Sequence, residues 1–304
     1  MGVVQGGSEA VVAIIGCGNM GSSILQGIQK SKIEGNRCQS SDEVKVTKVL
    51  ATTSTQASNE RLRSAFSAMG QDLFVSCGSN VEVMREADVV VLGCKPHMIQ
   101  GVLQGKGVRE ALKDKLVISI LAGTPVDLLR QYLQGESAAS REMIKNTCIV
   151  RAIPNIGAQV NASMTLVEET SMPESFAKVV SWIFGQVGRV KYVPPSQFEV
   201  ATSLITASIA VTSVLVDGLL DGAVAEGLKR SEALEIAAQG LQATARLLLE
   251  ERDCRPGTIL ERMCSPRGVT IQTVLTAEGG NLRKVGAEAV INGTQHLQKM
   301  SRSA

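Results

Sequence analysis

Val11-Val12-Ala13-Ile14-Ile15-Gly16-Cys17-Gly18-Asn19-Met20-Gly21 is the stretch on which the fold turns. The β-branched run predicts a strand, Gly16 stops it, and from Met20 to Ile28 apolar residues recur at helical spacing. In such a strand, turn and helix, Gly16 permits the tight turn, Gly18 lets a pyrophosphate approach the backbone, and Gly21 allows close packing of helix on strand. The N–H groups of the turn, with those of Asn19 and Met20, are then free to face phosphate. A bare Gly-x-Gly-x-x-Gly match is weak, and a merely structural turn is the competing reading. Its context decides in favour of a dinucleotide.

That context is an alternation of strands and helices. Strands are predicted over residues 46–51, 73–75, 89–92 and 116–120, and helices over 56–69 and 81–86. Val89-Val90-Val91-Leu92 and Leu116-Val117-Ile118-Ser119-Ile120 are uninterrupted enough to be covered on both faces. The fold class is therefore α/β, a Rossmann-type doubly wound parallel sheet. Residues 148–152, 164–167 and 187–193 extend it, with a helix over 174–184. The polar segment 35–43 reads as a surface insertion.

After Pro194-Pro195 only helical periodicity follows: 199–226, 231–251, 258–263, 270–278 and 282–299. The double proline divides a dinucleotide-type domain, 1–194, from an all-helical domain, 195–304. The uncharged stretch Val200–Val216 falls short of the ~20 mostly apolar residues that cross a bilayer. It reads as a helix buried on most sides, against partner helices that include one from a second subunit.

Composition excludes several classes of function. Lys plus Arg number 31 against 29 Asp plus Glu, so no strong field draws nucleic acid or an acidic membrane. Seven cysteines without Cys-x-x-Cys spacing argue against a disulfide framework or zinc site and read as buried neutral thiols. With two histidines, His97 and His296, a histidine triad or multi-histidine metal centre has almost no raw material, so no metal is expected. Residues 1–10 show no targeting pattern, and a cytoplasmic protein is expected.

The remaining candidates lie where strands end. Thr52-Thr53-Ser54, at the tip of the second strand, offers hydroxyls and no carboxylate, which favours NADPH over the alternative, NADH. Arg61 and Arg63 stand a few turns further on, and plain turn residues are the competing reading. Cys94-Lys95-Pro96-His97 follows the fourth strand at the carboxyl edge, where open α/β sheets bind ligands. There Lys95 is either a cofactor contact or a solvated loop lysine. Leu121-Ala122-Gly123-Thr124 after the fifth strand is small enough for a nicotinamide ring to lie close to backbone. Cys264-Ser265-Pro266-Arg267-Gly268-Val269-Thr270 precedes a helix whose first N–H groups suit a carboxylate. Most Ser-Pro turns of this kind only cap their helices.

Taken in order, Ile15 to Gly21, Ala87-Asp88 through Lys95-Pro96-His97, Ala122-Gly123, Arg151 to Asn155, Asp221-Gly222-Ala223-Val224 with Gly227-Leu228, and Ser265-Pro266 to Thr270-Ile271 resemble the Δ1-pyrroline-5-carboxylate reductase family. The resemblance implies an NAD(P)H-dependent oxidoreductase of proline biosynthesis that transfers hydride to the C=N bond of a small cyclic imine. It implies that Thr53 and Asn80 contact adenosine, that Gly93, Cys94, Lys95, Pro96 and Ala122 line the dinucleotide, and that Asn155 lies near the nicotinamide; Ser54 and Gly123, beside them, read as further cofactor contacts. It further implies that Ser265, Gly268, Val269 and Thr270 hold substrate, with the Thr270 hydroxyl at the ring nitrogen as the catalytic group, in a homodimer or a larger ring.

Thr206-Ala207-Ser208-Ile209-Ala210 stands where the family carries Gly-Ser-Gly-Pro-Ala, and Arg267 and Ser163 stand where it carries glycine. A substituted or six-membered cyclic imine is therefore the alternative substrate. A β-hydroxy-acid dehydrogenase would need a lysine on the helix 199–226, which has none. An inactive NADP-binding sensor or scaffold is the alternative of another class.

Overall fold

The computed structural model describes residues 8–34, 44–67, 73–135 and 137–303. The segment 35–43, read above as an insertion, lies outside them. Eight strands form one sheet in the order β3-β2-β1-β4-β5-β6-β7-β8. They are β1 (Ser8–Ile15), β2 (Val44–Thr53), β3 (Leu73–Cys77), β4 (Val89–Leu92), β5 (Leu116–Ser119), β6 (Cys148–Ile153), β7 (Ser163–Glu168) and β8 (Gly188–Val193). All neighbours run parallel except β6 and β7, where Ala152 faces Val167.

Helices cover both faces, as the apolar runs require. On one face α1 (Asn19–Glu34), α2 (Gln56–Phe66) and α8 (Glu174–Gly185) pack Ile24, Leu25, Ile28, Leu62, Ile183 and Phe184 against Val12, Ile14 and Val91. On the other, α3 (Asn80–Glu86), α4 (Ile99–Leu103), α5 (Val108–Leu112), α6 (Val126–Gln134) and α7 (Ala138–Met143) cover Ala13, Ile15, Val90 and Val117. Adjacent strand residues such as Val90 and Val91 point into opposite cores, so β4 carries no polar residue. The strand order reverses between β1 and β4, and their exit loops flank the crevice where such sheets take ligands.

Beyond β8 the described chain is helical: α9 (Pro195–Ala225), α10 (Arg230–Glu250), α11 (Pro256–Met263), α12 (Val269–Gly279) and α13 (Leu282–Ser303). By internal contacts the chain divides into Met1–Thr202 with His296–Ala304, and Ser203–Gln295. The first turns of α9 belong with the sheet because Phe198 and Thr202 are buried there.

Two expectations change. Val200–Val216 lies in a 31-residue helix that is long and apolar enough, by length and composition, to cross a membrane. Within the single chain Leu204 and Val214, and Leu219 further along α9, are exposed, so the chain's own helices supply only part of the expected cover. The periodicity expressed there is that of a helix face turned away from its own chain. The thiols are not uniformly buried either. Cys17 is buried and its thiol is pushed up to about 12 by that burial, whereas Cys77, at the end of edge strand β3, is exposed.

Candidate functional site

The glycine turn is held from both sides. The Thr52 carbonyl accepts the N–H groups of Gly16 at 3.1 Å and Cys17 at 2.8 Å, and Gly18 donates to the Gly16 carbonyl at 2.9 Å. These three donors, expected to face phosphate, are therefore spent on the turn. The first helical bond of α1 runs from Ser22 to the Gly18 carbonyl, so the N–H groups of Asn19, Met20 and Gly21 precede the ladder and are the ones left for an anion.

Each glycine does a separate job. Gly16 has φ +88°, and a Cβ there would stand 2.6 Å from the Cys94 nitrogen, inside any contact radius. Gly21 lies against the Gly16 carbonyl and Ile14, where a Cβ would come to 3.0 and 3.2 Å. Gly18 has nothing within 4 Å of its Cβ position, so the turn is open to a ligand on that side alone. A pyrophosphate fits this cradle: clearance at the middle glycine, unpaired donors just beyond it, and a helix dipole behind.

The adenosine side is built from the exits of β2 and β3. The Thr53 hydroxyl donates to the Thr55 carbonyl at 3.2 Å, and the Thr53 carbonyl accepts from Gly78 at 3.2 Å. That second bond draws Asn80, the first residue of α3, towards the tip of β2. Ser54 is exposed, and Thr55 caps α2 by accepting from the Ser58 N–H. Of the two arginines, Arg63 turns to the Val75 carbonyl at 2.7 Å. Arg61 instead lines a cavity of about 400 Å³ with Asn19, Ser22, Gln26 and Gln159.

The exits of β4 and β5 also meet. Gly93 donates to the Ile15 carbonyl at 2.8 Å, setting Cys94 against Gly16. Burial pushes the Cys94 thiol up to about 11, so it is neutral and no nucleophile near neutral pH. Lys95 is exposed and precedes the short 3-10 turn Pro96–Met98. A second cavity, about 350 Å³, is lined by Pro96, His97, Ala122, Gly123, Tyr132 and Met300 among others. Ala122 is exposed, while Gly123, at φ +68°, is covered by Met300.

At the end of β6 the Asn155 amide is engaged locally. Its Oδ1 accepts from Gly157 at 2.9 Å and its Nδ2 donates to the Met164 carbonyl at 3.1 Å. Ser163 fits without distortion, because its hydroxyl accepts from the Asn155 N–H at 3.1 Å.

In the unit Ser203–Gln295, Ser265-Pro266-Arg267-Gly268 is a tight turn closed by Gly268 donating to the Ser265 carbonyl at 3.0 Å. Arg267 takes φ +63°, a left-handed conformation that glycine adopts without strain. Gly268 is the N-cap of α12 and makes no side-chain cap, so the first-turn N–H groups at Val269 and Thr270 lack a capping acceptor from that residue. The residues named from the sequence therefore lie at strand exits in one unit and at the start of α12 in the other. The sequence reading missed Thr55 and Met300, and it gave Thr52 a hydroxyl role only. Thr55 carries the capping signal of a threonine three residues before Ser58, whereas Thr52 acts through its carbonyl and Met300 lies far along the chain, with no local signal.

Three exit loops around an open glycine turn, on a doubly wound sheet followed by helices, define a dinucleotide-binding oxidoreductase. Residues 11–123 match the model of the NADP oxidoreductase, coenzyme F420-dependent family, and residues 195–300 match that of pyrroline-5-carboxylate reductase dimerisation. A pyrroline-5-carboxylate reductase of Lophium arboricola is 35% identical over 95% of this chain and 92% of its own length. One from Neurospora crassa is 32% identical over 96% and 93%. The solved Plasmodium falciparum pyrroline carboxylate reductase with NADP bound has the same fold, with a TM-score of 0.76 at 20% identity over 96% of this chain and 98% of that one. The chain belongs to the pyrroline-5-carboxylate reductase family, NAD(P)H-dependent oxidoreductases acting on CH–NH bonds.

The residues that match the dimerisation model include α9 with its exposed apolar side chains, in a chain that forms a homo-oligomer.

Proposed function

We propose that this protein is a cytoplasmic, soluble homodimer, not bound to membrane or nucleic acid, that reduces Δ1-pyrroline-5-carboxylate to L-proline with NADPH. The observation that carries the reading is the division of labour among Gly16, Gly18 and Gly21, with open space only at the middle one. Full-length similarity to curated reductases supports the substrate.

NADPH, when bound, supplies a hydride. The protein's own work is holding and orienting. The first N–H groups of α1, at Asn19, Met20 and Gly21, take the pyrophosphate. Thr53, Ser54 and Asn80 take the adenosine end, where an exposed serine and an absent carboxylate leave room for a 2′-phosphate. Cys94, Lys95, Pro96, Ala122, Gly123 and Asn155 border the nicotinamide end.

The first turn of α12, from Gly268 through Val269 to Thr270 and preceded by Ser265, receives the substrate carboxylate on its N–H groups. Protonation of the ring nitrogen makes the adjacent carbon electrophilic, so the chain need only hold that nitrogen protonated and keep water away. The Thr270 hydroxyl accepts a hydrogen bond from the protonated nitrogen. Arg267, strained and one residue before the cap, favours a second reading in which the true substrate is a substituted or six-membered cyclic imine.

NADPH oxidation by the purified protein with pyrroline-5-carboxylate, beside its six-membered and methyl-substituted analogues, tests both. Turnover of the unsubstituted imine is expected, and Thr270→Ala should lower kcat by about 100-fold while NADPH affinity stays within twofold. Turnover with an analogue alone would select the second reading. Unchanged kcat in Thr270→Ala would remove the role given to that hydroxyl.

A further inference from the structure

The end of α13 returns to the sheet unit. Residues 296–304 group with Met1–Thr202 by contact. There Met300 lies on the turn after β5: a Cβ on Gly123 would come within 2.9 Å of Met300 Cε and 3.1 Å of its Cβ. The neighbouring residue, Ser301, donates to Glu199 Oε1 at 3.4 Å. Glu199 in turn accepts from Arg151 Nη2 at 3.0 Å, and Arg151 Nη1 reaches Glu168 at 3.5 Å. The Arg151 guanidinium also lies 4.5 Å from the centre of the Phe198 ring. The tail is thus attached at an apolar point on the β5 exit loop and at a polar point on a buried ionic cluster at β6.

The apolar attachment contributes little to the core. Met300 is 37% exposed, whereas Leu121 and Thr124, on either side of the turn, are each 3% exposed and already anchor the loop. What Met300 adds is contact at the apex, where Gly123 at φ +68° has no side chain of its own to fix it. An unbranched thioether is suited to filling such a gap. Ala122, the exposed residue of the apex, is among those assigned above to the dinucleotide.

We propose that Met300 is a positioning residue: it pins the Ala122–Gly123 apex so that the nicotinamide end of the dinucleotide meets a preformed wall, with Ser301 and the Arg151–Glu199 pair holding the tail in place. The inference rests on the cofactor placement of the previous section. A displacement of about 1 Å at a reacting group is enough to cost rate heavily, so a loosened apex should be felt in binding and turnover before it is felt in stability.

Fluorescence titration of the full chain with NADPH, without imine, tests it independently of catalysis. Met300→Ala should raise the NADPH Kd by about tenfold, with thermal midpoint within about 3 °C of the parent, and Met300→Leu should recover most of the affinity. In turnover, KM for NADPH should rise while KM for the imine holds. A Kd within twofold of the parent in Met300→Ala overturns the proposal, as does a fall in thermal midpoint that accounts for the loss in both variants. If the parent binds NADPH but reduces no pyrroline carboxylate, the substrate assignment fails while the Kd comparison still decides the role of Met300.

Discussion

Two apolar stretches of similar character meet opposite fates in this molecule. Val89 to Leu92 are at most 1% exposed, whereas Val214 on α9 is 76% exposed and Leu204 and Leu219 are 57% and 56% exposed. The same contrast runs through the units. Between residues 203 and 295 the buried hydrophobic residues among those described are Leu220, Ala233 and Ile259, while the sheet unit buries whole strands. One unit buries its hydrophobic surface within the chain, and the other leaves much of it exposed within the segment that matches the dimerisation model. Stability of the sheet unit should accordingly be a property of the chain, and that of the helical unit a property of concentration.

The largest expected effect breaks the helical half of that contrast. Val214→Asp places a charge on the exposed apolar face and should weaken association by on the order of 100-fold, about 3 kcal/mol. Sedimentation velocity would then show monomer at micromolar concentration, and an unchanged oligomer would place the interface elsewhere.

Next, Gly16→Ala attacks the sheet unit at its tightest point. The added Cβ meets Cys94 at 2.6 Å in a left-handed backbone, and the loss should be about 2 kcal/mol or more in unfolding, with NADPH affinity down at least about tenfold. Calorimetry and fluorescence titration read the two quantities separately.

A subtler effect lies in the buried cluster. Desolvation raises the Glu168 carboxyl above its ordinary range, opposed by Arg151 and reinforced by Glu199. Because the folded value is the higher one, the stability linked to this group is fully present below the unfolded value, about pH 4.3, and is lost as pH rises through the folded value. Glu168→Gln should flatten that segment of the profile of thermal midpoint against pH, and an unchanged slope would assign it to another group.

The smallest effect is expected at Arg267. Replacement by glycine relieves a left-handed residue at φ +63° and should stabilise the helical unit by up to about 1 kcal/mol in urea unfolding. A net loss would mean that the arginine side chain gives back more than its backbone costs.

The contrast also explains what was legible beforehand. β4 and β5 could be read because burial on both faces leaves an unmistakable apolar run, and α9 because its apolar residues extend over many turns. The short helices α4 to α7 were not read. Three of them have five or six residues, too few for a period to show, and Gly101, Gly105 and Gly107 break the pattern between them. That α9 is a helix and that a second subunit shares in its cover were both legible, but how much of its face the chain's own helices leave open was not, since periodicity is blind to which chain supplies the cover.

At the site, Gly16, Gly18 and Gly21 were legible because each answers a local steric demand. The bond from Cys17 to the Thr52 carbonyl and the cover of Gly123 by Met300 were not, because they depend on what the finished topology brings alongside.

The discontinuous make-up of the sheet unit has a bearing on how the protein is made. Residues 296–303 complete a unit whose other residues precede position 203, so the ribosome must first synthesise all of 203–295. At roughly 5–20 residues per second this leaves an interval of several seconds in which the nascent sheet unit stands with the apex at Gly123 uncovered. The helical segment is thus an insertion in time as well as in sequence, and the sheet unit closes only after its oligomer-forming partner segment has emerged.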